Sequence, residues 1–359
     1  MRIILSANSH WNIFNFRLGL VKELLKNNEV YIFGSKDQTS NKLKRIGCRL
    51  INIKISHHGK SVNDDFKLFL NYLSLLRKIN PHYYFGFTIK PNIYGALACR
   101  ILNIKSVSNI TGLGEIFINK GALEKFVIFL YRLSIRHSKF VLFQNKEDLK
   151  YFKQKQIIKN NHKIIPGSGI NLKIIKVLKK KSINKMFTFL YVGRIIKEKG
   201  ILELIKAFSL LNKEFKNIQL ILVGKIDLTL KKKLNLKQFN NIKYYKFTNK
   251  ISAFYKKSDC FVMPSYREGL SRSILEAASY QMPILASDVP GCRELVLRGE
   301  NGFLFKSQNS YSIFRSMKKL LSKNNEEIIN MGKKSRLIVE KNYEEKKVID
   351  VYKKIINEN

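Results

Sequence analysis

The sequence predicts an α/β protein of two Rossmann-like domains, each a parallel sheet flanked by helices. Three observations lead there. At 359 residues the chain is too long for one ordinary domain and suits two. Short apolar runs alternate with longer amphipathic stretches, which is the pattern of βαβ units. The series also breaks at a lysine-rich stretch and then starts afresh. Hydrophobic residues make up 45%, enough for two buried cores and too many for a disordered chain.

In the first half the expected strands are Arg2–Ser6, Glu29–Phe33, Tyr83–Phe87, Ser106–Ile110, Lys139–Gln144 and Lys163–Pro166. Helical periodicity falls on Phe16–Asn27, Asp65–Lys78, Asn92–Leu102 and Leu123–His137. These form a first domain, residues 1–170. Gly167-Ser168-Gly169 leads into a lysine-rich stretch without apolar periodicity, residues 171–186, which reads as the linker. The second domain, 187–342, opens with a strand at Phe187–Val192, a helix at Gly200–Asn212 and a strand at Ile218–Val223. Ile242–Tyr245, Cys260–Met263 and Ile284–Ala286 continue the strands, with helices at Lys250–Lys257 and Arg272–Tyr280. Residues 343–359 read as a helix that packs back on the first domain.

Four cysteines lie scattered, without a C-x-x-C pair. That argues against zinc and a disulfide framework, and it fits a reducing compartment. The apolar run Ile3–Leu5 is too short for a signal-peptide core, and no stretch approaches the ~18 apolar residues of a spanning helix. A cytoplasmic chain without a spanning segment is therefore expected. Lys and Arg number 67 against 26 acids, a formal charge of +41, which attracts polyanions, either nucleic acid or an anionic membrane. Compositional drift toward Lys, Asn, Ile and Phe accounts for part of the lysine but not for its excess over glutamate.

Two clusters carry chemistry. In the first, Val192-Gly193-Arg194 ends a strand, and Lys199-Gly200 opens the next helix. A helix N-terminus with free N–H groups, an arginine that grips two oxygens and a lysine point charge together make a socket for a diphosphate. Surface lysines abound here, so the pair alone is weak evidence. The second cluster runs from Pro264 through Glu268-Gly269-Leu270 to Glu276. It sets one carboxylate in a loop and one on a helix, both suited to accept hydrogen bonds from vicinal sugar hydroxyls. The backbone N–H groups of Gly269 and Leu270 stand where a phosphate can bind. A blander role at the helix dipole suits Glu268 but not Glu276.

The run from Tyr191 to Phe305 resembles the donor-binding half of family 4 glycosyltransferases of the GT-B fold. Glu268 and Glu276 match the family's E-x7-E signature, and Arg194 and Lys199 its phosphate-binding cations. Pro290-Gly291, Glu294 and Gly299–Gly302 also follow the pattern. The resemblance implies two Rossmann-like domains facing across a cleft. It puts Arg194 and Lys199 on the diphosphate, Glu276 on the ribose, Glu268 on the transferred sugar and Thr248 near the base. Ser271 departs from the proline or glycine common after Gly-Leu. The implied donor is a nucleotide-sugar, UDP-linked, with no cofactor and no metal. No D-x-D motif is present, and Asp64-Asp65 is explained by helix capping. Such enzymes retain anomeric configuration.

The acceptor half is less legible. The Gly-Gly loop that many relatives carry after the first strand is missing, and Thr111–Glu115 lacks the histidine often found there. "FNFR", "TGLGEIFINKG", "GSGINL" and "GCRE" resemble the subset that builds lipid-linked oligosaccharides on undecaprenyl diphosphate. An acceptor of that kind, in surface polysaccharide (capsule or lipopolysaccharide) or glycoprotein glycan assembly, is expected. The enzyme would then sit peripherally on the inner face of the cytoplasmic membrane. His10 is a candidate acid/base, although a lone histidine after a strand is more often an ordinary loop residue. His57-His58 lacks further metal ligands. In Gly121–Phe140, apolar and aromatic residues alternate with Lys125, Arg132, Arg136 and Lys139. The stretch reads equally as an interfacial element on an anionic membrane and as a core-facing helix. Two rivals stay open: a GT-B sugar-nucleotide enzyme of another reaction type, and a basic nucleic-acid-binding protein. The second lacks any recognition module, so no specific nucleic acid is expected as partner.

Overall fold

The computed structural model describes residues 1–55, 62–114, 121–175, 185–228, 240–246 and 250–358, with 230, 234 and 248. The chain divides into two compact units. One is Met1–Gly169 with Glu345–Asn359, and the other is Ile170–Glu344.

The first unit holds a parallel sheet of β1 (Arg2–Ser9), β2 (Glu29–Ser35), β3 (Arg49–Asn52), β4 (Tyr83–Gly86), β5 (Lys105–Ile110), β6 (Phe140–Phe143) and β7 (His162–Ile164). Its order is β3-β2-β1-β4-β5-β6-β7. The inner strands are buried and largely apolar because helices cover both sides, although β5 also buries Ser106, Ser108 and Asn109. On one face pack α3 (Val62–Ile79), α4 (Ala96–Ile101, entered through a π-turn at Pro91–Gly95), α5 (Ala122–Ile135) and α6 (Lys146–Gln154). The other face takes α1 (His10–Leu24), α2 (Ser40–Arg45) and the last helix of the chain, α12 (Glu345–Asn357). Val348, Tyr352, Ile355 and Ile356 of α12 are buried in this core. Asn109 Nδ2 donates to the Tyr352 hydroxyl at 2.6 Å.

Helix α1 begins six residues before the expected Phe16. Ser9 is extended (φ −151, ψ 160), and its hydroxyl accepts from the Asn12 N–H, so it caps a helix starting at His10. Arg17 breaks the helical geometry (φ −141, ψ 18) and lays its guanidinium 3.9 Å from the centroid of Phe87.

The second unit holds β8 (Phe187–Val192), β9 (Ile218–Val223), β10 (Ile242–Tyr245), β11 (Cys260–Met263), β12 (Ile284–Ser287) and β13 (Gly302–Phe305). The order is β10-β9-β8-β11-β12-β13, every pair parallel. Around it lie α7 (Ile201–Glu214), α8 (Ser252–Lys257), α9 (Arg272–Ser279), α10 (Ser310–Leu321) and α11 (Asn325–Asn342). The expected linker 171–186 starts inside this unit. Leu172 and Ile175 pack on the second core, where Ile170 is buried, and the Ile170 N–H donates to the Tyr343 carbonyl at 2.8 Å. Residues 176–184 of that stretch lie outside the described residues. No described helix is long and apolar enough to cross a membrane.

Candidate active site

The second sheet reverses its order between β8 and β11, and open α/β sheets form a crevice at the carboxyl ends of such a pair. Both sequence clusters stand at those ends. Gly193 to Gly200 follows β8, and Pro264 to Leu270 follows β11.

Gly200 joins them. Its φ is +65, and a Cβ there would lie 2.1 Å from the Pro264 carbonyl oxygen. Glycine alone lets the start of α7 press against the β11 loop. That approach pairs Lys199 Nζ with Glu268 Oε1, and Ser265 Oγ donates to the same oxygen at 2.7 Å. The Arg194 side chain is exposed beside β8, while its carbonyl accepts from the Tyr191 hydroxyl at 2.7 Å. Tyr191 is fully buried. Burial, and after it the Glu268 carboxylate, hold its phenol well above the ordinary range, so it remains a donor.

Glu276 sits on α9 with partners of its own. Arg272 Nε donates to Oε1 at 3.1 Å and the Tyr255 hydroxyl to Oε2 at 3.0 Å. Tyr255 is buried and stacks on Tyr280, with centroids 5.3 Å apart. Burial first, and then Glu276, push its phenol well up. The carboxylate is thus set in place by two donors from different helices before any ligand arrives.

The turn at Gly269-Leu270 is clamped by the next loop. Glu268 N–H donates to the Pro290 carbonyl at 3.2 Å and Ser271 N–H to the Gly291 carbonyl at 2.9 Å. Gly291 has φ +77, and a Cβ on it would lie 2.6 Å from the Glu268 backbone. Its N–H donates to Glu294 Oε2 at 2.8 Å. Ser271 therefore supplies an N–H that a proline would lack. Thr248 follows β10, half-buried, and its hydroxyl accepts from the Lys250 N–H at 3.1 Å.

His10 belongs to the first unit and is 1% exposed. Its Nδ1 lies 2.8 Å from Ser40 Oγ. Burial holds it below its ordinary pKa of 6.5, against the opposing pull of the Ile51 backbone and Asp37. It opens a helix rather than a loop. In the acceptor-side loop, Thr111 Oγ1 donates to the Phe87 carbonyl at 3.0 Å. Glu115 and His57-His58 lie outside the described residues.

Lys199 and Glu268 are thus in direct contact, with Gly269 and Leu270 in the same turn. Glu276 is held separately, and Arg194 and Thr248 stand on the loops after β8 and β10. Sequence reasoning gave no role to Ser265 or Tyr255, and it saw Gly291 and Glu294 only as loop residues of the family pattern. A tyrosine among the lysines of a short helix gives no signal, because its hydroxyl matters only once the helix is packed against α9.

The chain is similar to N,N'-diacetylbacillosaminyl-diphospho-undecaprenol alpha-1,3-N-acetylgalactosaminyltransferase of Campylobacter jejuni. The two are 26% identical over 339 residues, 89% of each chain. It is 31% identical over 146 residues, 40% of this chain and 38% of the other, to the capsular polysaccharide biosynthesis glycosyltransferase CapM of Staphylococcus aureus. The crystal structure of Anabaena HepE in complex with UDP and glucose shares its fold, with a TM-score of 0.82 at 17% identity over the whole of both chains. Residues 2–145 match the family model "Glycosyl transferase 4-like" and residues 173–342 the model "Glycosyl transferases group 1". The fold is GT-B, and the chain belongs to the family 4 glycosyltransferases, which take a sugar from a nucleotide-sugar donor.

Proposed function

We propose that this enzyme moves a hexose or N-acetylhexosamine, with retention of configuration, from a UDP-sugar to a saccharide carried on undecaprenyl diphosphate. It would do so without a metal or cofactor, on the inner face of the cytoplasmic membrane, in the assembly of capsule, lipopolysaccharide or a glycoprotein glycan. The observation that carries the reading is the Lys199–Glu268 pair at the ends of β8 and β11, with Ser265 on the same carboxylate. The named substrate of the Campylobacter relative supports a lipid-linked acceptor, and the UDP bound by HepE supports the base.

In this reading the diphosphate lies against Arg194, Lys199 and the N–H groups of Gly269 and Leu270. Negative charge grows on the leaving phosphate as the glycosidic bond breaks, and preorganised cations stabilise it. Losing one such donor typically costs ~10²–10³-fold in turnover. Glu276, oriented by Tyr255 and Arg272, accepts from the ribose hydroxyls, and Glu268 accepts from the sugar. Thr248 borders the base. His10, buried at the start of α1 with its Nδ1 2.8 Å from Ser40 Oγ, is the acid/base candidate of the first unit.

The test is calorimetric titration of the protein with UDP-, GDP- and dTDP-sugars, followed by Glu276→Ala and Lys199→Ala. A UDP-sugar should bind, and both variants should lose binding while keeping their circular dichroism. Unchanged binding in either variant would remove that residue from the site, and preference for another base would replace UDP.

A further inference from the structure

Nearly half of the large apolar side chains that stand exposed among the described residues fall on three consecutive helices, α3, α4 and α5. All three cover the same face of the first sheet, and α4 packs against both neighbours. On α3 the buried stripe is Leu68, Tyr72 and Leu76. Val62, Phe66 and Leu70 recur at four-residue spacing on the opposite side. On α5 the core takes Val127, Ile128, Tyr131 and Ile135, while Leu123, Phe126, Phe129 and Leu133 face outward. Phe66 is 59% exposed, Phe126 50% and Phe129 52%. Each stripe lies opposite its helix's core face, so both point away from the sheet, with Ile101 of α4 exposed between the two helices. An apolar surface gathered this way marks a docking site.

Charge chooses the occupant. Lys125, Arg132 and Arg136 are exposed beside the α5 stripe. The sole acid of that helix, Glu124, is turned inward and accepts from the Tyr151 hydroxyl. Lys67 and Arg100 are exposed on α3 and α4. Of the two acids in the first turn of α3, Asp65 is paired with Lys90. Phenylalanines ringed by bases suit the boundary between acyl chains and anionic headgroups, whereas the cores of protein interfaces are depleted in charge.

We propose that the outer face of α3, α4 and α5 is where the enzyme seats itself on an anionic bilayer. Phe66, Leu70, Phe126 and Phe129 enter the acyl boundary, and the bases lie among the headgroups. The inference rests on the reading of the acceptor as lipid-borne and names the protein surface that meets the lipid.

The experiment uses the full chain and vesicles of equimolar phosphatidylcholine and phosphatidylglycerol. Phe126→Glu with Phe129→Glu, and Phe66→Glu with Leu70→Glu, should each lower vesicle partitioning by about tenfold or more. The control pair, Tyr311→Glu with Leu337→Glu, alters equally exposed residues of the second unit and should leave partitioning unchanged. Phe129→Trp, a gentle change, should add fluorescence that brominated lipid quenches, and Leu337→Trp should add fluorescence that it does not. Equal partitioning of all variants, or no quenching of Phe129→Trp, would overturn the proposal. So would self-association of the wild type that the helix variants abolish without changing vesicle binding. Transfer to a short-tailed, water-soluble acceptor separates the two readings. Its persistence in variants that bind vesicles normally would sink the docking face alone. Its absence from all proteins, with vesicle binding still lost in the helix variants, would sink the acceptor reading alone.

Discussion

Two side chains in this enzyme are set by neighbours that the sequence does not announce. Glu276 was legible from its spacing to Glu268, but its orientation depends on Tyr255, a buried phenol whose proton is secured by burial. Tyr255→Phe keeps the ring stacked on Tyr280 and removes one hydrogen bond to a carboxylate, a bond worth about 1.5–3 kcal/mol. Because Arg272 still holds the other oxygen, donor affinity should fall by roughly tenfold rather than vanish. An unchanged dissociation constant would show that Arg272 alone suffices. His10 was legible as a residue type but not as a buried one. Its folded pKa lies below 6.5, so the unfolded chain takes up the proton first as pH falls. The stability it contributes is complete above about pH 6.5 and declines as pH drops through the folded pKa. His137 is lowered as well, so the informative quantity is the difference between wild type and His10→Gln. The variant should lose part of the decline in melting temperature between roughly pH 7.5 and pH 5; parallel curves would show that His10 titrates alike in both states.

At the level of elements, legibility followed apolar density. Phe187–Val192, Ile218–Val223 and Cys260–Met263 have the bounds the sequence predicts, since inner strands buried on both sides read as short, mainly apolar runs. Ile242–Tyr245 has its predicted bounds too, although it is an edge strand buried chiefly at Ile242. The strand at Arg49–Asn52 was missed because it lies at the sheet edge and carries only two apolar residues. The strand at Gly302–Phe305 was missed because its glycine reads as a turn. That glycine is packed, since a Cβ on it would lie 1.7 Å from the Ile284 carbonyl oxygen. Helices at Ser310–Leu321 and Asn325–Asn342 were hidden by their lysines, although each buries an apolar stripe. Gly200 is where an element boundary becomes site geometry. Gly200→Ala incurs the left-handed backbone cost of about 1–2 kcal/mol and in addition drives its Cβ into Pro264. Gly299 has a similar φ of +79 with nothing near its absent Cβ, so Gly299→Ala incurs the backbone cost alone. Thermal melts should show the larger loss for Gly200→Ala, and that variant alone should weaken donor binding as Lys199 moves from Glu268. Equal melting losses would mean the α7 start yields without strain.

For the whole molecule, chain order and folding unit do not coincide. Helix α12 follows the second unit in sequence, yet it completes the first. It fills the sheet face beside α1 with Val348, Tyr352, Ile355 and Ile356, and the Tyr83 hydroxyl donates to the Ile355 and Ile356 carbonyls at 3.3 Å. Each large apolar side chain contributes about 1.5–3 kcal/mol by burial. Four of them supply roughly 6–12 kcal/mol, the size of a whole domain's net stability. Deleting residues 345–359 should therefore unfold the distant N-terminal unit and spare the adjacent second one, whose core draws on none of these side chains. Hydrogen exchange read by mass spectrometry should show protection lost across β1 to β6 and kept across β8 to β13. Nucleotide-sugar binding, which in our reading uses residues of the second unit alone, should survive the deletion while transfer to any acceptor is lost. Retained protection in β1 and β4 would mean that α1 and α2 can close that sheet face unaided; loss of protection in both units would mean that they unfold as one.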